Sequence, residues 1–286
     1  MALTFILLGL SICAAWIPYV ALGHGLSIQP WALLLAAAMA SGLAYGVLGW
    51  TALIALMLLI AASVLSQRLN SRTSRTAFTV IAALIALALA LHWVPGFNNP
   101  MIVEGVRLTE AALPFTQYAN FDKGAAGLVL LAFFCHRITS VQEWRRLAAP
   151  TLLATGLTAL AAMACALSTG YVDFDPKLPT FAPTFLAVNL LFTCVAEEAF
   201  FRGLLQERLA RALASRWQWL AIAVSSVLFG LAHFAGGMLH VALATIAGLG
   251  YALVYGATRR IESAVLTHFA VNAIHFFGFT YPHLAR

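Results

Sequence analysis

The sequence predicts an all-α fold, a polytopic bundle of transmembrane helices. Of the 286 residues, 62% are hydrophobic and only 9% are charged, whereas soluble domains are roughly half apolar and about one quarter charged. Long apolar runs recur along the whole chain, near the roughly 20 residues that cross the hydrocarbon as a helix. These runs are continuous. A transmembrane barrel would alternate apolar and polar residues, so the spanning elements should be helices.

The apolar runs divide the chain into about ten spans. No basic residue precedes the apolar core of the first run, so we interpret it as a helix rather than a signal peptide. We expect residues 1–184 to form N-terminal helices and residues 185–286 to form a C-terminal four-helix catalytic core. The predicted spans are 2–22, 31–49, 51–66, 77–95, 124–136, 151–168, 185–203, 218–236, 239–257 and 261–279.

The basic residues are concentrated in alternate loops. Twelve of the 16 Lys and Arg residues lie at or beyond the ends of the third, fifth, seventh and ninth spans. The positive-inside rule places these loops in the cytoplasm and both termini outside. A basic excess can also indicate nucleic-acid binding, but arginines close to membrane spans are explained by topology and by contact with anionic lipid. We therefore expect the lipid bilayer as a partner and no nucleic acid. The remaining four are Arg107, Lys123, Lys177 and Arg286.

The longest polar segment is residues 96–123, which is rich in turn formers. By the same topology it faces the outer side of the membrane. Its length suits either a lid that contacts substrate or a surface hairpin packed on the bundle. The sequence leaves both interpretations open.

Two adjacent carboxylates interrupt the seventh span, in the stretch CVAEEAFFRGLLQ at 194–206. Glu198 and Arg202 are four residues apart, with the acid first, which is the favoured order for an ion pair on a helix. Glu197 points to another face and has no local partner. A second helix must therefore supply hydrogen bonds to Glu197, or Glu197 must bind a proton, water or an ion.

The next spans carry polar residues in otherwise apolar surroundings. His233 lies in the eighth span, and His268, Asn272 and His275 share one stripe of the last. Polar clusters on three consecutive spans, with a carboxylate among them, indicate a functional site. Phe229, one turn before His233, would line this site or simply pack. His240 and His283 lie near helix ends and are interpreted as interfacial.

Three short motifs in this region resemble the CPBP family of intramembrane proteases, which includes the Ras-converting CAAX prenyl endopeptidases. EEAFFR at 197–202 matches the EExxxR motif of that family, FGLAH at 229–233 matches FxxxH, and HFAVN at 268–272 matches HxxxN. The motifs occur in the family's order, and the resemblance covers about residues 185–280. It implies cleavage of peptide bonds within the membrane, with Glu197, His233, His268 and Asn272 at the active site.

Peptide hydrolysis needs an activated water and donors for the oxyanion. Glu197, kept unpaired in a low-dielectric site, suits a general base, with His233 holding the same water. His268 and Asn272 suit oxyanion donors, while Glu198 and Arg202 would brace the helix. The sequence contains no HExxH, GxSG or GxGD motif of other intramembrane proteases.

We expect no cofactor at this site. Zinc is the alternative, and Glu197, His233 and His268 would then be its ligands. Against zinc, a ligating Glu197 would not be free to act as a base, and Asn272 is a poor zinc ligand but a good oxyanion donor.

The depths of the motif residues conflict with upright helices. By helix rise, Glu197 and His268 lie roughly 10 Å from the cytoplasmic ends of their spans and His233 roughly 20 Å from its own. Tilt, a broken helix or a later start of the eighth span would have to bring them together.

Two other function classes fit part of the pattern. An ion-coupled transporter would also bury Glu and His residues, but the first half of the chain has no matching pair of broken helices. A catalytically silent membrane scaffold is the third class, and the complete motifs disfavour it. We therefore expect an endopeptidase of a bacterial-type cytoplasmic membrane that cleaves a membrane-anchored peptide or protein.

Overall fold

The computed structural model describes residues 1–23 and 26–285, so Arg286 lies outside the described residues. Helices account for 72% of the structure and strands for 6%, which agrees with the predicted helical class.

The described residues include ten main helical segments, and each predicted span overlaps one of them. The seventh is a continuous helical segment that alternates α-helical turns with two π-helical stretches, 189–194 and 199–206. The segments are α1 (Ala2–Ala14), α2 (Pro30–Ala44), α3 (Trp50–Arg68), α4 (Arg72–Ala90), α5 (Phe121–Phe134), α6 (Val141–Ser168), α7 (Ala182–Ala212), α8 (Gln218–Leu231), α9 (Gly237–Thr258) and α10 (Ile261–Gly278).

Five helices in the described residues are long and apolar enough to cross a membrane: α3, α4, α6, α7 and a segment from Phe234 that continues through α9. The shorter helices α1 and α2 are also apolar. The chain is therefore an integral membrane protein. The larger number of about ten crossings stays a prediction.

The first helix is shorter than predicted. It ends at Ala14 rather than at residue 22, because Pro18 disfavours helical conformation in the residue before it and cannot donate a helix hydrogen bond. Two short antiparallel strands follow, β1 (Val20–Gly23) and β2 (Leu26–Ile28).

The sixth helix begins ten residues earlier than predicted, at Val141. Ser140 caps it, since the Ser140 hydroxyl accepts a hydrogen bond from the Glu143 N–H. The Glu143 carboxylate accepts one in return from the Thr139 N–H, at 2.8 Å. Such a cap satisfies backbone donors that a helix start leaves without partners.

The chain forms two compact units. The first unit comprises residues 1–101, 118–135 and 191–200, and the second comprises 102–117, 136–190 and 201–286. Both units combine segments that are far apart in sequence. The predicted assignment of catalysis to residues 185–286 concerns function and stays a prediction.

In the first unit, α5 is the central helix. It packs against α1, α3, α4 and the α7 turn 195–198. Its side chains are buried on nearly every face, among them those of Phe121, Ala125 and Leu128. A polar group on α5 must therefore find its partner inside the protein.

In the second unit, α6 packs against α9 and α10, and α8 packs against α9. The polar segment 96–123 forms strands β3 (Met101–Val106) and β4 (Phe115–Tyr118), which pair with each other. Val103 and Phe115 from these strands join a buried cluster with Phe185 and Phe276. The surface-hairpin interpretation of this segment therefore describes the structure.

Several of the predicted cytoplasmic arginines meet at one end of the second unit. Glu207 is 2.8 Å from Arg211 and 3.0 Å from Arg259, and Glu143 pairs with Arg260 at 2.5 Å. The pairing with Glu143 raises the pKa of Arg260. The basic segments that follow α5, α7 and α9 thus lie at the same end of this unit, as the alternate-loop pattern requires.

Candidate active site

The second unit contains a cavity of about 110 Å³ whose polar lining is mainly imidazole. We call it the histidine cavity. Its polar wall includes residues from two of the three motifs, and the rest of the wall is largely apolar. The polar side chains on the wall are those of Tyr171, His233, His240, His268, Asn272 and His275.

His233 reaches the cavity because its helix ends early. Helix α8 stops at Leu231 rather than at residue 236, and Gly237 follows with a φ of 85°. Glycine adopts this conformation at little cost. Of the three ways to resolve the depth conflict, the structure shows the broken helix for His233. The His233 Nδ1–H donates to the Phe229 carbonyl at 2.8 Å, which leaves Nε2 for other partners.

Phe229 lines the cavity and packs against two of its histidines. The side chain is 2% exposed, and its ring centroid lies 4.8 Å from that of His233 and 5.5 Å from that of His268. Phe229 therefore holds the imidazoles of two motifs against one apolar ring.

Arg202 supports Phe229 from the protein interior. Arg202 is fully buried, and its guanidinium carbon lies 5.3 Å from the centroid of the Phe229 ring, in range of a cation–π contact. One guanidinium nitrogen donates to the Ser225 hydroxyl at 2.5 Å, and this hydroxyl donates to the Phe201 carbonyl at 2.9 Å. The third member of the EExxxR motif is thus fixed by α8 as well as by its own helix.

The last helix supplies His268 and Asn272. His268 is 4% exposed and its ring stacks on Tyr251, with centroids 4.5 Å apart. The Asn272 amide donates to the Asn189 side-chain carbonyl at 3.3 Å, and Asn189 is 8% exposed. Asn189 thus sets the orientation of the Asn272 amide, and the sequence reasoning did not single it out.

Glu197 lies in the first unit and is paired with a lysine. Its carboxylate is 2.6 Å from the Lys123 ammonium at the start of α5, and the two side chains are 14% and 18% exposed. The description of Glu197 as unpaired is therefore wrong. The expectation that a second helix must meet it is confirmed, because α5 provides Lys123.

The close approach of α5 makes this pair geometrically feasible. A Cβ on Gly127 would lie 2.5 Å from the Ala196 Cα, so only glycine allows the two backbones to come this near. Ala196 precedes Glu197, and Lys123 lies one helical turn before Gly127. Gly127 therefore brings Lys123 within reach of Glu197.

A second carboxylate anchors the start of α5. Asp122 is 1% exposed, and its carboxylate is 2.6 Å from the His92 ring and 3.0 Å from the Asn99 amide nitrogen. Asn99 also accepts a hydrogen bond from the Phe121 N–H. These contacts fix the two residues that precede Lys123.

The histidine cavity also corrects one interpretation and extends another. His240, expected at an interface, instead lines the cavity, and His275 lines it together with the other members of its predicted stripe. Tyr171 joins them from the segment after α6, and burial raises the pKa of its hydroxyl. The phenol therefore stays protonated at neutral pH.

Zinc requires ligands in a defined geometry. Within residues 1–23 and 26–285, no group of three His, Cys, Asp or Glu side chains forms an obvious metal site. His233 has the arrangement of a ligating histidine, since Nδ1 is held by a carbonyl and Nε2 is available. Glu197, by contrast, is engaged by Lys123.

Comparison with known proteins identifies one family. Residues 179–274 match the model of the type II CAAX prenyl endopeptidase Rce1-like family. The matched segment contains all three motifs, and the match confirms the resemblance to the CPBP membrane proteases. No curated protein and no solved structure matches the chain.

Proposed function

We propose that this chain, whose residues 179–274 match the model of the Rce1-like CAAX prenyl endopeptidase family, is an intramembrane endopeptidase. It hydrolyses a peptide bond of a membrane-associated substrate. The observation that carries the proposal is the histidine cavity, which gathers His233, His268 and Asn272 from two separate motifs.

In the proposed reaction, Glu197 takes a proton from a water that His233 helps to hold. The water oxygen attacks the scissile carbonyl carbon, and the carbonyl oxygen becomes an oxyanion. His268 and Asn272 donate hydrogen bonds to that oxyanion. The C–N bond then breaks, and Glu197 returns the proton to the leaving nitrogen, so that the products are a carboxylic acid and an amine.

The contacts of Asn272 support its assigned role. An amide nitrogen carries two hydrogens, and only one of them is used by the hydrogen bond to Asn189. In the proposed reaction, the amide donates to the oxyanion through the other hydrogen. Because its partner is buried, the amide is held in place before substrate arrives, as electrostatic stabilisation of a transition state requires.

Glu198 and Arg202 act as a brace in this proposal. Glu198 is fully buried, and an ionised carboxylate at such a position requires a partner. The i, i+4 spacing predicts that Arg202 is this partner. Arg202 also packs on Phe229, so loss of the brace should disturb the wall of the histidine cavity.

A defined peptide tests the function. The matched family name suggests an internally quenched peptide that ends in a CAAX sequence, with and without a farnesyl group on its cysteine. Purified protein in liposomes should cleave a peptide of this set, and Glu197→Gln should not. No cleavage by the wild type, or equal cleavage by Glu197→Gln, contradicts the proposal.

We propose that the water is activated without a metal. The Lys123 ammonium is 2.6 Å from the Glu197 carboxylate, and a positive charge this close disfavours binding of a zinc ion to the same carboxylate. Cleavage should survive exhaustive chelation, and active protein should contain far less than one zinc per chain. The zinc alternative is supported instead if the active protein contains one zinc per chain, and if removing the zinc abolishes cleavage and returning it restores cleavage.

The proposed topology has about ten crossings, with the termini outside and the turn after α7 in the cytoplasm. We further propose a bacterial-type cytoplasmic membrane. A single cysteine at Ser215, in a background without native cysteines, should react with a membrane-impermeant reagent only after cells are opened. Labelling in intact cells contradicts this orientation.

A further inference from the structure

His240 lines the histidine cavity with no hydrogen bond to its ring from any residue in 1–23 or 26–285. Two neighbouring histidines differ. His233 donates to the Phe229 carbonyl, and one ring nitrogen of His275 is 3.3 Å from the Thr280 carbonyl. The His240 ring therefore keeps hydrogen-bonding capacity for a ligand or for water.

The position of His240 is at the edge of the cavity. It lies in the first turn of α9, with its ring centroid 5.4 Å from that of His233 and 6.0 Å from that of Tyr171. Phe234 and Met238, which precede it, are 64% and 66% exposed. The ring thus stands between His233 and the exposed turn that joins α8 to α9.

Gly236 leaves room for this ring. A Cβ on Gly236 would lie 2.0 Å from the His240 Nδ1 and 2.8 Å from its Cγ. Any larger residue at 236 would displace the imidazole. The glycine is therefore required for the position that the His240 ring takes at the cavity.

We propose that His240 binds the peptide backbone of the substrate next to the scissile bond. A ring nitrogen of a neutral imidazole donates or accepts a hydrogen bond according to the tautomer, so it can pair with either the C=O or the N–H of a peptide unit. An extended peptide advances about 3.3 Å per residue. A ring 5.4 Å from His233 therefore reaches a peptide unit one or two residues from the bond that His233 serves. This assignment rests on the proposed function.

The assignment can be tested with the internally quenched peptide that the wild type cleaves. KM and kcat for this peptide are measured for each variant. His240→Leu should raise KM by about five- to tenfold and leave kcat within about twofold, because the lost hydrogen bonds act on bound substrate and transition state alike. His240→Gln, which keeps a donor and an acceptor, should recover much of the loss. His283→Leu is the matched control, since His283 stacks on Tyr171 at 4.6 Å without lining the cavity.

Gly236→Ala provides a second test, because it displaces the imidazole without removing it. Its KM should rise as in His240→Leu, and the double variant should be no worse than His240→Leu. An unchanged KM in His240→Leu overturns the assignment, as does a fall in kcat alone. If Gly236→Ala does not fold, the His240 variants still decide. A wild type that cleaves no peptide refutes the proposed function instead.

Discussion

The two units present opposite kinds of polar group. In the first unit, the carboxylate of Glu197 is held by the ammonium of Lys123, in a partly buried ion pair. In the second unit, the histidine cavity offers imidazoles and the Asn272 amide, packed on Phe229 and Tyr251. The difference matches the division of labour in the proposed reaction, where one group must carry charge and the others must donate hydrogen bonds. Variants of the two units should therefore fail in different ways.

The largest effect should come from Glu197→Gln. The amide is nearly isosteric but cannot accept the proton of water, so kcat should fall by about 10²–10⁴-fold. Lys123 also loses its charged partner, and a moderate fall in stability should accompany the loss of activity. Cleavage of the quenched peptide and thermal unfolding measure the two effects. Cleavage at the wild-type rate would exclude Glu197 as the base.

On the imidazole side, Asn272→Ala should lower kcat by about 10²–10³-fold, the usual cost of one oxyanion donor. No ion pair is broken, so the melting temperature should change less than in Glu197→Gln. Asn189→Ala is the positioning control, and its kcat should fall by a smaller factor. The assignment fails if Asn272→Ala changes KM alone.

Lys123→Met tests whether the ion pair of the first unit stabilises the fold. Exposed pairs contribute about 0–1 kcal/mol, whereas removing one partner of a buried pair costs about 3–5 kcal/mol. With side chains 18% and 14% exposed, we expect a loss of about 2–3 kcal/mol between these limits. Lys123→Arg should retain most of the stability. Equal unfolding midpoints for Lys123→Met and wild type contradict a structural role.

The smallest effect on activity is expected from the brace formed by Glu198 and Arg202. Glu198→Gln should lower the free energy of unfolding by about 1–3 kcal/mol if Arg202 loses its partner. Its activity should fall less than that of Glu197→Gln, because the base remains. Identical melting curves for Glu198→Gln and wild type would show that the two residues are not paired.

Much of this architecture could be predicted from sequence because it is local. The helices follow from apolar runs, and the motif residues stand out as polar groups among apolar neighbours. The helix ends that were predicted wrongly, those of α1 and α8, had local signals in the sequence as well. Pro18 follows the true end of α1, and Gly236–Gly237 follows the true end of α8. Because α8 ends before Gly236, His240 lies on the wall of the histidine cavity rather than at the expected interface.

The partners of the motif residues could not be predicted, because they are distant in sequence. Lys123 is 74 positions from Glu197, and Asn189 is 83 positions from Asn272. Nothing in a hydropathy pattern pairs such residues. The π-helical turns at 189–194 and 199–206 are also invisible to a reading at 3.6 residues per turn.

The central proposal for the reaction is that Glu197 and His233 activate the same water. A double-mutant cycle on kcat/KM for the quenched peptide, with Glu197→Gln, His233→Ala and the double variant, tests it most directly. Residues that act as one unit are strongly non-additive. The double variant should therefore cleave about as slowly as the slower single variant. If the two losses instead multiply, Glu197 and His233 act independently and the claim is contradicted.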